Sequence, residues 1–154
     1  MHKVVKTLEI NKPLEEVFQF FNTPKNLSRL MPKLMGFKLL TPEPIIMKEG
    51  AVFDYQIRMM GLPMRWTSYI SEYDPPNAFA DIQLKGPNSY WHHRHRFVAN
   101  GDSTTVIDEV HYMLPLGILG RIANALVMKW MVSYIFNYRT KVVDAVFKES
   151  SDEQ

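Results

Sequence analysis

The feature that most constrains this chain is the spacing of its turn signals. Between Met35 and Met113, Gly50, Gly61 with Pro63, Asp74-Pro75-Pro76-Asn77, Gly86-Pro87-Asn88 and Asn100-Gly101 separate short runs rich in β-branched and aromatic residues. This is the punctuation of a meander. The predicted strands are Phe37 to Leu40, Val52 to Met60, Met64 to Tyr73, Phe79 to Leu84, Tyr90 to Val98 and Thr105 to Met113, and Lys3 to Ile10 supplies a further one at the start.

Between the first strand and the meander, Asn11 is placed to cap a helix with Pro13 in its first turn, Glu15 and Glu16 near its positive end, and Leu14, Val17, Phe18 and Phe21 on one face. A second short helix is predicted from Pro24 to Pro32. Leu114-Pro115 ends the last strand, and Gly117 to about Phe147 reads as one long helix with a polar, frayed tail from Lys148 to Gln154. The expected class is therefore α+β: a seven-stranded, predominantly antiparallel sheet, two short helices and a long C-terminal helix, in a single domain over residues 1–147.

Composition narrows the function. A net charge of +2 and no basic stripe argue against nucleic acid, and the lack of Cys removes thiolate chemistry and disulfides. The first residues lack a signal peptide's apolar run, so a cytoplasmic protein is expected. Ile118 to Phe136 is the most membrane-like stretch, but Arg121, Asn124 and Lys129 interrupt it. Ten Met and nineteen aromatic residues, by contrast, suit either an irregular apolar cavity or a Met-rich core.

Four of the five His residues lie in two adjacent predicted strands. Alternation puts Trp91, His93, His95 and Phe97 on one face and Tyr90, His92, Arg94 and Arg96 on the other. A hairpin through Asn100-Gly101 pairs Phe97 with Val106, His95 with Asp108, His93 with Val110 and Trp91 with Tyr112, and sets Arg94 opposite Glu109 outside. His95 held by Asp108 is a candidate general base, a ligand contact, or part of a structural polar network. His93 and His95 with Asp108 would give three metal ligands where a closed zinc site needs about four, and no metal is assigned.

On the long helix, Met128, Val132, Ile135, Val142, Val143 and Val146 share an apolar face with Arg139 in its middle. That Arg either pairs with an inward carboxylate such as Asp108 or Asp81 or anchors an acidic head group. Ile122, Leu126 and Trp130 fall on the opposite side, where they are either covered by adjacent loops or dock on a membrane surface or a second copy of the chain.

Local patterns add a resemblance. Pro13-x-x-x-Val17-Phe18, Pro24-x-Asn26-Leu27-x-x-Leu30-x-Pro32, Trp66, Asp74-Pro75-Pro76, Phe79-x-Asp81, Gly86-Pro87, Trp91-x-His93-x-His95-x-Phe97, Asp108-x-Val110-x-Tyr112-x-x-Pro115-x-Gly117-x-x-Gly120 and Ile135-Phe136-x-Tyr138-Arg139 run in order through nearly the whole chain. Together they resemble the START-like (SRPBCC) superfamily, in its bacterial ligand-binding and polyketide cyclase/dehydrase-like branch. Asn88-Ser89 departs from it, since relatives commonly carry an aromatic residue after Gly-Pro.

The resemblance implies a helix-grip fold, with a curved sheet wrapped on the long helix and an internal cavity for an apolar or amphipathic small molecule. Such cavities commonly measure roughly 300 to 1,000 Å³. The wall is expected to comprise Tyr55, Ile57, Met59, Trp66, Phe79, Trp91, His93, His95, Phe97, Tyr112, Met128, Val132 and Arg139, with no cofactor. Binding or carriage is the leading expectation. A cyclase, dehydratase or hydrolase-like enzyme using His95 and Asp108, and a docking protein, are the alternatives.

Overall fold

The computed structural model describes residues 1–59 and 61–152. Strand β1 (His2–Ile10) leads into helix α1 (Leu14–Phe21), a 3₁₀ turn (Pro24–Asn26), the single-turn helix α2 (Leu27–Leu30), a second 3₁₀ turn (Lys33–Met35) and the short strand β2 (Lys38–Leu39). Then come β3 (Val52–Met59), β4 (Leu62–Asp74), β5 (Ala78–Lys85), β6 (Tyr90–Asn100) and β7 (Ser103–Met113). The chain ends in α3 (Gly117–Ala123), a π-helical turn (Asn124–Met128) and α4 (Lys129–Asp152), which run on from one another.

All seven strands form one curved antiparallel sheet in the order β1-β7-β6-β5-β4-β3-β2. The meander explains six of the positions, because each strand pairs with its successor. β1 then closes on β7, with Leu8 opposite Val106 and Val4 opposite Val110. The β6–β7 register is the expected one, including Phe97↔Val106, His95↔Asp108, His93↔Val110 and Trp91↔Tyr112. Its hairpin turns on Gly101, whose φ of 63° a side chain would strain.

Burial alternates along β7, so that Thr104, Val106, Asp108, Val110 and Tyr112 all face the helices. Two apolar clusters fill the concave side. One joins Val17, Phe18 and Phe21 of α1 to Phe79, Phe97, Val106, Val143 and Phe147. The other joins Ile57, Trp66, Val110 and Tyr112 to Met128, Met131, Val132 and Phe136. Each large side chain fully buried contributes about 1.5 to 3 kcal/mol.

Several local expectations are corrected. Asn11 does not cap α1: Pro13 occupies the cap position, and Asn11 Oδ1 accepts a hydrogen bond from Ser103 Oγ at 3.1 Å. The predicted helix from Pro24 to Pro32 is a 3₁₀ turn over Pro24–Asn26 running directly into α2, and it stops at Leu30 because Met31, which precedes Pro32, is already extended. Phe37 to Leu40 pairs only at Lys38 and Leu39. Met60, expected to end β3, lies outside the described residues. α4 continues to Asp152 beyond the expected stop near Phe147, because no Gly or Pro follows to end it. Gly120 lets α3 approach the preceding loop, where a Cβ would overlap the Pro115 carbonyl oxygen.

By length and composition alone, the helix over Gly117–Lys148 could cross a membrane. Val132, Arg139 and Val143 of that helix are buried, while most of its apolar window is exposed.

Candidate functional site

A cavity of about 160 Å³ lies between the sheet, the α2 region and α4. Its wall includes Tyr55, Ile57, Met59, Trp66, Phe79, Trp91, His93, His95, Met128, Val132 and Arg139. Alternation along β3, β4 and β6 aims the strand residues inward, and α4 closes the top. The volume falls below the expected range of roughly 300 to 1,000 Å³, because Met31, Met35, Met47 and Met131 also crowd the wall. An apolar space of about 150 Å³ still accepts a molecule the size of one aromatic ring.

Two expected wall residues lie elsewhere. Phe97 packs edge-on against Phe18 at 5.3 Å between centroids and belongs to the α1 cluster. Tyr112 is buried beside the cavity, and its hydroxyl donates to Asn124 Oδ1. Asn124 Nδ2 lies in turn 3.2 Å from His2 Nδ1. The π-helical turn thus begins at a buried polar side chain that ties the long helix to β7 and β1.

The polar part of the wall centres on Asp108. Its Oδ1 lies 2.9 Å from His93 Nε2, 2.7 Å from His95 Nδ1 and 3.3 Å from Arg139 Nη1. The first and third contacts are hydrogen bonds. The second is close but poorly aligned, so His95 Nδ1 makes an ion-pair contact without a hydrogen bond. His95 Nε2 faces Asp81 Oδ1 at 3.8 Å, and Phe79 stacks on the His95 ring at 4.4 Å. The Arg139 guanidinium lies over Phe136, 5.4 Å from the ring centre.

This burial separates the two imidazoles. Burial, reinforced by the charge of neighbouring His95, pulls His93 down to about 4, against the pull of Asp108. Burial also disfavours a cationic His95, but Asp108 and Asp81 outweigh it and raise the group above its ordinary value. For Asp108, burial opposes ionisation, while the charges of Arg139 and His95 and the hydrogen bond from His93 hold its carboxyl well below the usual range. The two shifts run in opposite directions, so His93 is held neutral at neutral pH and the Asp108 and Asp81 carboxylates make His95 the stronger base of the pair. Tyr55 remains a neutral phenol, pushed up first by burial and then by the charge of Asp81.

On the outer face Arg94 stands opposite Glu109 as expected, but its ion pair goes to Glu72 through bonds of 2.8 and 2.9 Å. Glu109 is taken by Lys3 at 3.2 Å. Met131 and Phe136, absent from the expected wall, also line the cavity, bordering Val132 and Ile135 on the same face of α4. The sequence reading missed Trp66 Nε1 and Asn88 Oδ1, two buried polar atoms without a hydrogen-bond partner in the protein. In the sequence Asn88 stands out only as a departure from the family pattern.

A profile of the family described as "Polyketide cyclase / dehydrase and lipid transport" matches residues 1–141. Among curated proteins, no match was found. Among solved structures, the Zhui aromatase/cyclase from Streptomyces sp. R1128 superposes with a TM-score of 0.75 at 14% identity, covering 96% of this chain and 93% of that one. A START superfamily protein from Mycobacterium smegmatis gives 0.70 at 14% identity, with 95% and 99% covered. Norcoclaurine synthase from Thalictrum flavum, in complex with dopamine and hydroxybenzaldehyde, gives 0.64 at 17% identity, with 92% and 86% covered. At these identities the likeness is one of fold.

Proposed function

Because the chain belongs to the polyketide cyclase/dehydrase and lipid transport family, we propose that residues 1–147 form a domain that binds or carries an amphipathic small molecule, with an apolar body and a few polar atoms. One observation carries this reading: a cavity walled by Met and aromatic side chains that also holds unpartnered buried polar atoms, among them the donor Trp66 Nε1 and the acceptor Asn88 Oδ1. Buried polar groups are rarely left unpaired, so a guest with a hydroxyl or carbonyl fits this wall better than a plain hydrocarbon. A ring-sized guest fits directly, and a longer one enters if the flexible Met side chains rearrange.

Native mass spectrometry of the purified protein, followed by extraction and identification of the bound compound, tests the reading. An unchanged lipid, isoprenoid or polyketide-like molecule supports carriage. Absence of any copurifying compound, together with no binding of apolar fluorescent probes, overturns it.

The pairing of His93 and His95 on one carboxylate favours a second reading, a cyclase or dehydratase in which the imidazoles move protons on the bound molecule. It requires chemical change of the extracted compound on incubation, lost in His95→Ala.

In either case we propose a cytoplasmic protein whose long helix carries a docking face for a membrane surface or a second copy of the chain. Leu126 and Trp130 are 74% and 64% exposed, with Ile122 also exposed, and Arg121 and Lys129 on the same stretch suit anionic head groups.

A further inference from the structure

We propose that Asp81, His93 and His95 form a binding site for a divalent first-row transition-metal ion in the cavity wall, with Asp108 as the outer carboxylate that orients both imidazoles. One ligand atom from each of the three residues lies within 4.8 Å of the others. Two donors about 2.0 to 2.1 Å from a tetrahedral ion stand roughly 3.4 Å apart, close to the 3.8 Å between His95 Nε2 and Asp81 Oδ1. That distance is too long for a hydrogen bond, so Asp81 and His95 face each other without satisfying each other directly.

The surroundings complete the argument. Metal-binding imidazoles usually give their second nitrogen to a carboxylate or carbonyl, which sets ring orientation and strengthens the ligand. Asp108 hydrogen-bonds His93 Nε2 and contacts His95 Nδ1, and His95 Nε2 is turned toward Asp81. Two carboxylates, Asp81 and Asp108, stand against the single fixed cation Arg139, so a divalent ion would meet compensating charge. Two nitrogens and one oxygen favour zinc or iron-like ions over magnesium or calcium, which prefer oxygen alone. Three protein ligands leave coordination positions toward the cavity, open to water or to an oxygen of the bound molecule. The site does not depend on which organic molecule fills the cavity.

Titration of the metal-stripped full chain with Zn²⁺ by calorimetry, and with Co²⁺ by visible absorption, should give one ion per chain, with Mg²⁺ failing to compete. Asp108→Asn should weaken Zn²⁺ binding by about 10- to 100-fold, and Asp81→Asn and His95→Ala by at least as much. The exposed-face pair His92 and His111, with ring centres 6.5 Å apart, is the competing surface site. The double variant His92→Ala/His111→Ala should bind as the parent does. In the parent protein, Co²⁺ should shift the ring resonances of His93 and His95, a readout that needs no variant to fold. No stoichiometric binding, unchanged binding in a folded Asp81→Asn protein, or shifts confined to His92 and His111 would overturn the proposal.

Discussion

His93 and His95 stand side by side with ring centres 3.9 Å apart, and both reach the same oxygen of Asp108. Two imidazoles this close do not both take a proton readily, so the pair titrates as a unit in which His95 charges first.

The metal-free protein should therefore be most stable near pH 6.5, the ordinary imidazole value. His93 is lowered to about 4, so its contribution is present above about 6.5 and is lost as pH falls toward 4. The shift corresponds to at most about 3 kcal/mol. His95 is raised, so its contribution is present below about 6.5 and is lost as pH rises through its folded-state value. Urea midpoints from acid to alkaline pH should pass through a maximum, flattened on the acid side by His93→Gln and on the alkaline side by His95→Gln. A profile that changes in one direction only contradicts this.

Arg139→Met should cost about 3 to 5 kcal/mol, the usual penalty for stripping one partner from a buried ion pair. Arg139 and Asp108 are 8% and 5% exposed, so water cannot replace the lost partner. The double variant Arg139→Met/Asp108→Asn should lose less than the sum of the single losses. Strict additivity in denaturant unfolding would mean that the two side chains do not interact.

Val132→Phe should block the cavity from the α4 side, since Val132 lines the space and is buried. Binding of an apolar fluorescent probe should fall at least tenfold, and overpacking should cost about 1 to 3 kcal/mol. Probe binding at parental affinity would place the binding site elsewhere.

Trp130→Glu should abolish association with anionic liposomes and leave the fold intact. Trp130 stacks on Tyr134 at 5.5 Å and is otherwise mostly exposed, so little packing is lost. Sedimentation of the parent and the variant decides between the two contacts: a dimer that dissociates in the variant would assign the face to a second chain, and no change in either assay would remove the docking role.

What the sequence by itself determined is local and periodic. Side chains alternate across a strand, and a hairpin near Asn100-Gly101 that sets His95 opposite Asp108 and Arg94 opposite Glu109 makes chemically sensible pairs, so this register was legible in the sequence. The turn itself falls on Gly101-Asp102, because Asn100 pairs with Ser103. The apolar period of α4 likewise brought Arg139 inward toward a carboxylate. What only the tertiary structure decided depends on distances between strands and on helical phase. Asp81 reaches His95 diagonally from β5, whose own pairing with β4 is offset by irregularities at Thr67/Ser68 and Ile70/Glu72. Glu72 wins Arg94 from Glu109 because Lys3, on β1, takes Glu109. The docking of α4 on the sheet brings Met131 and Phe136 into the wall beside Val132, while Phe97 is claimed by α1. A periodic pattern shows which way a side chain points, but what it meets there depends on how separate elements pack, and that packing also set the small volume of the cavity.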